Sequence, residues 1–153
     1  MELRRATIKD LPAMKALFVD SIEKSCQEDY EPEQISAWTS SVRNEKRWED
    51  LVREQEVVVI EEDGELLAFS SLKDSYYVDF LYVAPHHQGR GLSRQLLNLW
   101  ESRARAEGKD SLESDLSKTA RPAMEKMGWI YVQTNYNERG EVILINYRMI
   151  YPL

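Results

Sequence analysis

The apolar patterning of this 153-residue chain predicts a mixed α/β (α+β) fold, a mostly antiparallel sheet with helices on both faces. Three observations carry that expectation. The runs Val57–Ile60 and Leu66–Leu72 flank Asp63-Gly64, a two-residue hairpin signal. The next run, Tyr76–Val83, is apolar on both faces except for Asp79, which suits a central strand covered from both sides. A helix then follows with Leu92, Leu96, Leu97, Trp100 and Ala104 on one stripe, so the chain crosses over before its next strand.

From the beginning, residues 2–7 read as a short strand. Asp10 is the expected N-cap of the first helix, with Pro12 in the opening turn, where a missing N–H removes no helical bond. Leu11, Met14, Phe18 and Ile22 recur there at helical spacing. Glu31-Pro32 opens a short segment running to Trp38. Asn44 caps a further helix with Trp48, Leu51 and Val52 on one face. After the hairpin, the central strand and the helix that Gly108 ends, Ser111–Leu116 fits a strand. Ser117 or Thr119 caps a short helix ending at Met127-Gly128. Trp129–Asn135 and Val142–Ile150 close the chain as strands joined through Asn137-Glu138-Arg139-Gly140. No repeat or linker interrupts this order, so residues 1–153 are expected to form a single domain.

Composition narrows the function classes. The formal net charge of −7 gives no general electrostatic help toward nucleic acid. One cysteine, Cys26, excludes an intramolecular disulfide, and with only two histidines no metal site is expected. No apolar run resembles a signal peptide or a membrane span, so a cytoplasmic protein without a membrane partner is the expectation.

The most informative stretch is Val83-Ala84-Pro85-His86-His87-Gln88-Gly89-Arg90-Gly91-Leu92-Ser93, between the buried strand and the strong helix. A helix N-terminus offers unpaired N–H groups and the positive end of the macrodipole, and small residues at 89, 91 and 93 let an anion approach them. Arg90 is placed to add a charge-assisted contact. A P-loop would need Gly-Lys-Ser/Thr after a longer loop, and a dinucleotide fingerprint a third glycine where Arg94 stands; neither fits. The bland alternative is a glycine-rich helix start without a ligand.

Gln88-Gly89-Arg90-Gly91-Leu92-Ser93, with the preceding Val83-x-Pro85, resembles the acyl-CoA loop of the GNAT N-acyltransferase superfamily, with Ser93 where Gly or Ala is usual. Ala120-Arg121-Pro122-Ala123-Met124-Glu125-Lys126-Met127-Gly128-Trp129 resembles the later signature of that superfamily, a short helix ending in Glu-Lys-x-Gly-aromatic. The Arg5-x-x-x-x-Asp10-Leu11 entry and the closing hairpin also match, so the resemblance spans the whole chain. Tyr30-x-Pro32-x-Gln34-Ile35-x-Ala37-Trp38 is similar to a bacterial branch, the YafP-like group.

That resemblance implies an N-acetyltransferase that uses acetyl-CoA, without a metal, to acetylate a small-molecule or peptide amine in a ternary complex, as a monomer or homodimer. It implies that Tyr76–Val83 and Ser111–Leu116 splay apart around the pantetheine arm, with backbone groups of Leu81, Tyr82 and Val83 pairing with it and one N–H polarising the thioester carbonyl. The amides of Gln88, Gly89, Arg90, Gly91, Leu92 and Ser93 hold the pyrophosphate. Ser117, where the superfamily often has Asn, either contacts the arm or caps the following helix.

An alkyl ammonium, with a pKa of about 10.4, must lose a proton before it attacks. Asp79 is the candidate base, because desolvation makes a carboxylate hold a proton more readily; the alternative is a structural Asp paired with an Arg. Strand periodicity puts Tyr77, Asp79, Leu81 and Val83 on one face, and Tyr77 matches a second position that is acidic in many members. Met124 departs from the superfamily's usual tyrosine acid and has no proton to give. Tyr131, Tyr136 and Tyr147 are substitutes, with packing the favoured reading of each. Tyr30, Trp38 and Trp48 form a candidate aromatic wall for the acceptor, or else pack short helices together. His86, His87 and Cys26 read as bystanders. Met124 favours an acyl-CoA-binding protein without turnover, Asp79 an enzyme; a loop without lysine disfavours phosphotransfer.

Overall fold

A computed structural model describes residues 1–153. The elements are β1 (Glu2–Arg5), α1 (Leu11–Ser25), α2 (Pro32–Thr39), α3 (Glu45–Glu54), β2 (Glu56–Glu62), β3 (Glu65–Lys73), β4 (Tyr77–Val83), α4 (Leu92–Ala106), β5 (Ser111–Ser117), α5 (Arg121–Lys126), β6 (Ile130–Arg139) and β7 (Val142–Pro152). Their order is the predicted one. They form one seven-stranded sheet, β1-β2-β3-β4-β5-β7-β6, in which only β4 and β5 run parallel. No helix is long and apolar enough to cross a membrane.

Each face of the sheet has its own core. The α4 stripe of Leu92, Leu96, Leu97, Trp100 and Ala104 packs on Val58, Ile60, Val78 and Leu112. On the other face, Phe18 of α1 and Trp48 of α3 pack on Phe69 and Phe80, with Phe18 and Trp48 edge to face at 5.2 Å. Trp48 is fully buried there, a core residue that also lies in the lining of the cavity between β4 and β5.

Two turns differ from expectation. Asp10 lies within a tight turn before α1, in helical conformation; it accepts the Thr7 N–H at 2.8 Å and takes a two-point bond from Arg4, in place of capping the helix. Strands β6 and β7 stay paired as far as Arg139↔Val142, so their turn is Gly140-Glu141 and Asn137–Arg139 belong to β6. The backbone bonds of the long hairpin outweigh the turn propensity of Asn137.

The feature that positions the site is a β-bulge. Ser71 faces Phe80 and Leu72 faces Val78, which leaves Asp79 as the extra residue of β4. Phe80 N–H donates to Ser71 Oγ at 3.1 Å, Ser70 Oγ donates to the Phe80 carbonyl, and Trp100 Nε1 donates to Ser70 Oγ at 2.8 Å. Both serines are fully buried, so their hydroxyls supply the bonds that an irregular strand cannot. The bulge shifts the alternation: Asp79 and Phe80 both face α3, whereas Leu81 and Val83 turn to the α4 core. The predicted common face of Tyr77, Asp79, Leu81 and Val83 is therefore corrected, since an added residue reverses the side-chain parity beyond it. A Ser70→Ala substitution leaves the Trp100 N–H buried without a partner; it is expected to lower stability by about 2 kcal/mol in urea denaturation.

Candidate active site

Strands β4 and β5 pair at only two rungs, Tyr77↔Glu113 and Val78↔Ser114, with Ser114 Oγ donating to the Val78 carbonyl at 2.7 Å. From Asp79 and Asp115 onward the two strands diverge. A cavity of about 1550 Å³ opens in the gap, lined by Leu81, Tyr82, Val83 and Ser117 on the strands and by Gln88, Gly89, Gly91, Leu92 and Ser93 beyond them. That exceeds the roughly 300–1,000 Å³ of an ordinary ligand pocket, enough for an elongated ligand and a second molecule.

At one end of this cavity stands the glycine loop. None of the amide N–H groups from Gln88 through Arg94 donates to another protein atom; the first bond of α4 is Gln95 N–H to the Gly91 carbonyl. Gly89 and Gly91 have φ of 80° and 77°, and a Cβ at either would meet nothing within 4 Å. The glycines are therefore required by backbone conformation. The result is a run of unsatisfied donors at the positive end of a helix, facing open space, which is what a diphosphate needs. Gln88 Nε2 anchors the loop by donating to Ser25 Oγ of α1 at 3.0 Å.

Arg90 points elsewhere. Its guanidinium pairs with Glu62 at 3.1 Å and with His87 Nδ1 at 2.9 Å, and the side chain does not line the cavity. The expected charge-assisted contact is thus corrected for the side chain: a carboxylate at the end of β2, invisible to a local motif, has claimed it. Arg94, which the motif does not single out, lines the cavity instead. An Arg90→Ala substitution is expected to change the affinity for a bound diphosphate by less than about threefold, because the Glu62 pair is exposed and worth little; isothermal titration checks this.

On the α3 side of the gap, Asp79 accepts two bonds from Arg47 Nη2, at 3.2 and 3.0 Å, and one from Gln55 Nε2 at 2.7 Å. The Arg partner anticipated as the alternative for Asp79 is therefore present, yet Asp79 and Arg47 both line the cavity. Gln55 is buried, and its Oε1 is the only buried side-chain polar atom without a partner. Such an orphan costs about 1–3 kcal/mol, while the Nε2 of the same amide donates to Asp79.

A second cluster is not legible from any single motif. Asp115 of β5 takes two bonds from Arg148 of β7, at 2.9 and 3.0 Å, one from Asn135 of β6 at 2.8 Å and one from the Tyr77 hydroxyl. Burial alone would raise the Asp115 carboxyl, but the bonds from Arg148, Tyr77 and Asn135 outweigh it and hold the group below the ordinary carboxylate range. Burial first, then the bond to Asp115, pushes the Tyr77 phenol well above its usual value, so Tyr77 keeps its proton and directs it at Asp115.

The remaining candidates divide. Tyr30 is buried; its hydroxyl donates to the Ile145 carbonyl at 2.6 Å and accepts the Lys118 N–H at 3.0 Å, tying the α1–α2 connection to β5 and β7. Burial pushes this phenol up to about 12. Trp38 stacks edge-on against Tyr30 at 5.4 Å and lines the cavity. Ser117 Oγ accepts the Ala120 N–H at 3.0 Å, the capping contact, while still lining the cavity. Met124 is buried under the gap. Tyr131 and Tyr147 enclose the Arg121 guanidinium at 4.5 and 4.6 Å, and Tyr136 is exposed at the cavity rim. No three His, Cys, Asp or Glu side chains converge as metal ligands.

Comparison with known proteins follows the same lines. A family model described as acetyltransferase (GNAT) domain matches residues 26–151. The chain is 26% identical to the N-acetyltransferase YafP of Escherichia coli over 151 residues, covering 99% of this chain and 95% of that protein. A crystal structure of a GCN5-related N-acetyltransferase from Rhodopseudomonas palustris is similar with a TM-score of 0.94 and 31% identity, covering 99% of this chain and 95% of that one. The PaiA N-acetyltransferase of Thermoplasma acidophilum, solved in complex with coenzyme A, shares the fold, with a TM-score of 0.81, 19% identity and coverage of 99% and 98%.

Proposed function

The chain belongs to the GNAT acetyltransferase family, and from that premise we propose that it moves an acetyl group from acetyl-CoA to an amine, with Asp79 as the base. When bound, acetyl-CoA supplies the activated acetyl thioester. The observation that carries the reading is the continuous cavity joining two unsatisfied backbone surfaces: the free amides of Gln88 through Arg94, and the β4 edge left without a partner beyond Val78.

Each part has a role in this reading. The amides at the start of α4 hold the diphosphate. The open edge at Leu81, Tyr82 and Val83 pairs with the pantetheine amides, and an N–H of that edge faces the thioester carbonyl where negative charge develops. Asp79, aimed into the gap by the bulge and gripped by Gln55, takes the ammonium proton. Tyr77 positions Asp115 and not the thiol, since its proton is already committed. Trp38 lines the acceptor side, and Tyr30 fixes the wall behind it.

The test is thiol release from acetyl-CoA in the presence of an amine library, alongside titration with CoA, ATP and NAD. Saturable CoA binding with amine-dependent release is expected. CoA binding without release for any amine would favour the second reading, an acyl-CoA-binding protein without turnover. Met124 supports that alternative, being a buried thioether at the position where the family usually supplies a proton donor.

A further inference from the structure

We infer that the acceptor is a zwitterion, an amine carrying a carboxylate one or two carbons from its nitrogen. This rests on the reading of Asp79 above and names the substrate class for that site. The last rung between β4 and β5 is Val78↔Ser114, and the next residue on each strand is an aspartate, Asp79 and Asp115. Each is matched by one arginine, Arg47 at 3.0 Å and Arg148 at 2.9 Å, and all four side chains line the cavity. The mouth of the gap is thus bordered by two ion pairs of opposite polarity within each pair and no net charge.

The hydrogen-bond inventory says what such a surface selects. Arg47 uses only Nη2 on Asp79, leaving Nε and Nη1 without a hydrogen-bond partner. Arg148 uses Nε and Nη2 on Asp115, leaving Nη1. The arginine side chains, 42% and 33% exposed, are more open to solvent than Asp79 and Asp115 at 16% and 22%. A simple ammonium meets carboxylates whose charge guanidinium groups already cancel, and those groups do not deprotonate. A simple anion meets guanidinium groups already cancelled by aspartate. A zwitterion satisfies both at once: its ammonium reaches Asp79 and its carboxylate takes a free Arg47 N–H, at Nη1 or Nε, a charge-assisted bond that adds no net buried charge.

The same arrangement orients the reaction. With its carboxylate on Arg47, the ammonium gives one proton to Asp79; the freed lone pair forms the C–N bond as the C–S bond breaks, and the second nitrogen proton goes with the leaving thiolate. The product has lost its positive charge and keeps only its carboxylate, so it no longer matches Asp79 and is released.

Thiol release measured with matched sets tests this: an α-amino acid, its decarboxylated amine and its carboxamide. The amino acid is expected to show a kcat/KM at least about 30-fold above both analogues, roughly two kcal/mol of discrimination. Arg47→Met is expected to shrink that ratio below about threefold, mainly through the KM of the amino acid, and Arg47→Lys to restore part of it. Arg47→Gln, with the same loss of the ratio expected, serves as the second variant should Arg47→Met fail to fold. If the decarboxylated amine or the carboxamide is acetylated as well as the amino acid, the zwitterion inference falls while the acetyltransferase reading stands. If no amine releases thiol although CoA binds, the reading of Asp79 falls with it.

Discussion

A Gly91→Val substitution is expected to lower the affinity for CoA at least about 100-fold, roughly 2.8 kcal/mol, in isothermal titration of a protein that still folds. Gly91 sits at φ 77° and ψ 18°, the left-handed region, as the residue before α4. A β-branched side chain there costs about 1–2 kcal/mol or more, and the strain is relieved by rotating the flanking peptide groups. Those peptide groups carry the donors that face the cavity. A hydrogen bond to a charged phosphate is worth about 1.5–3 kcal/mol, so turning one or two amides away accounts for the loss.

Gly64 provides the control. It has φ 78°, and a Cβ there also meets nothing within 4 Å, but it lies in the β2–β3 turn. Gly64→Val is expected to lower the melting temperature comparably and to leave CoA affinity unchanged. If Gly91→Val binds CoA like the parent protein, the loop does not cradle the diphosphate.

How much of the molecule is legible in the sequence depends on the range of the interaction. The α4 stripe can be read residue by residue, because five apolar positions at helical spacing fix one buried face whatever lies opposite. Asn44 reads as a cap, and its side chain does accept the Arg47 N–H at 3.1 Å. Asp63-Gly64 reads as a turn, and both residues have positive φ. These are local devices. The features that escape the sequence are not local. The bulge at Asp79 depends on the hydroxyls of Ser70 and Ser71 in a neighbouring strand, and a period-two pattern has no symbol for an extra residue. Arg90 is turned by Glu62, and Asp115 is held by side chains from β4, β6 and β7. The one available signal for that last cluster is polar residues at alternate positions, Glu113, Asp115 and Ser117, in a strand whose other face is core. It marks a polar face without naming the partners.

An Asp79→Asn substitution is expected to lower kcat by about 10²–10³ while leaving the dissociation constant of CoA within about threefold, in steady-state kinetics and titration of the same preparation. The magnitude is that of losing a positioned general base, about 10²–10⁴. CoA affinity is spared because the loop amides and the open β4 edge are backbone groups that an asparagine side chain does not alter. Folding is spared too: the substituted amide keeps an oxygen for Gln55 Nε2, and Arg47, with a side chain 42% exposed, returns to water. The defect also has a predicted pH dependence. Below the amine's pKa of about 10.4, the free-base fraction rises nearly tenfold per pH unit. A variant without a base depends on that fraction, so its deficit narrows as pH rises. If Asp79 were only the structural partner of Arg47, kcat would stay within about threefold of the parent and its ratio to the parent would not move with pH. The orphaned Gln55 Oε1 weighs against that outcome, since an amide kept buried and half-satisfied to hold one carboxylate is hard to explain by folding alone.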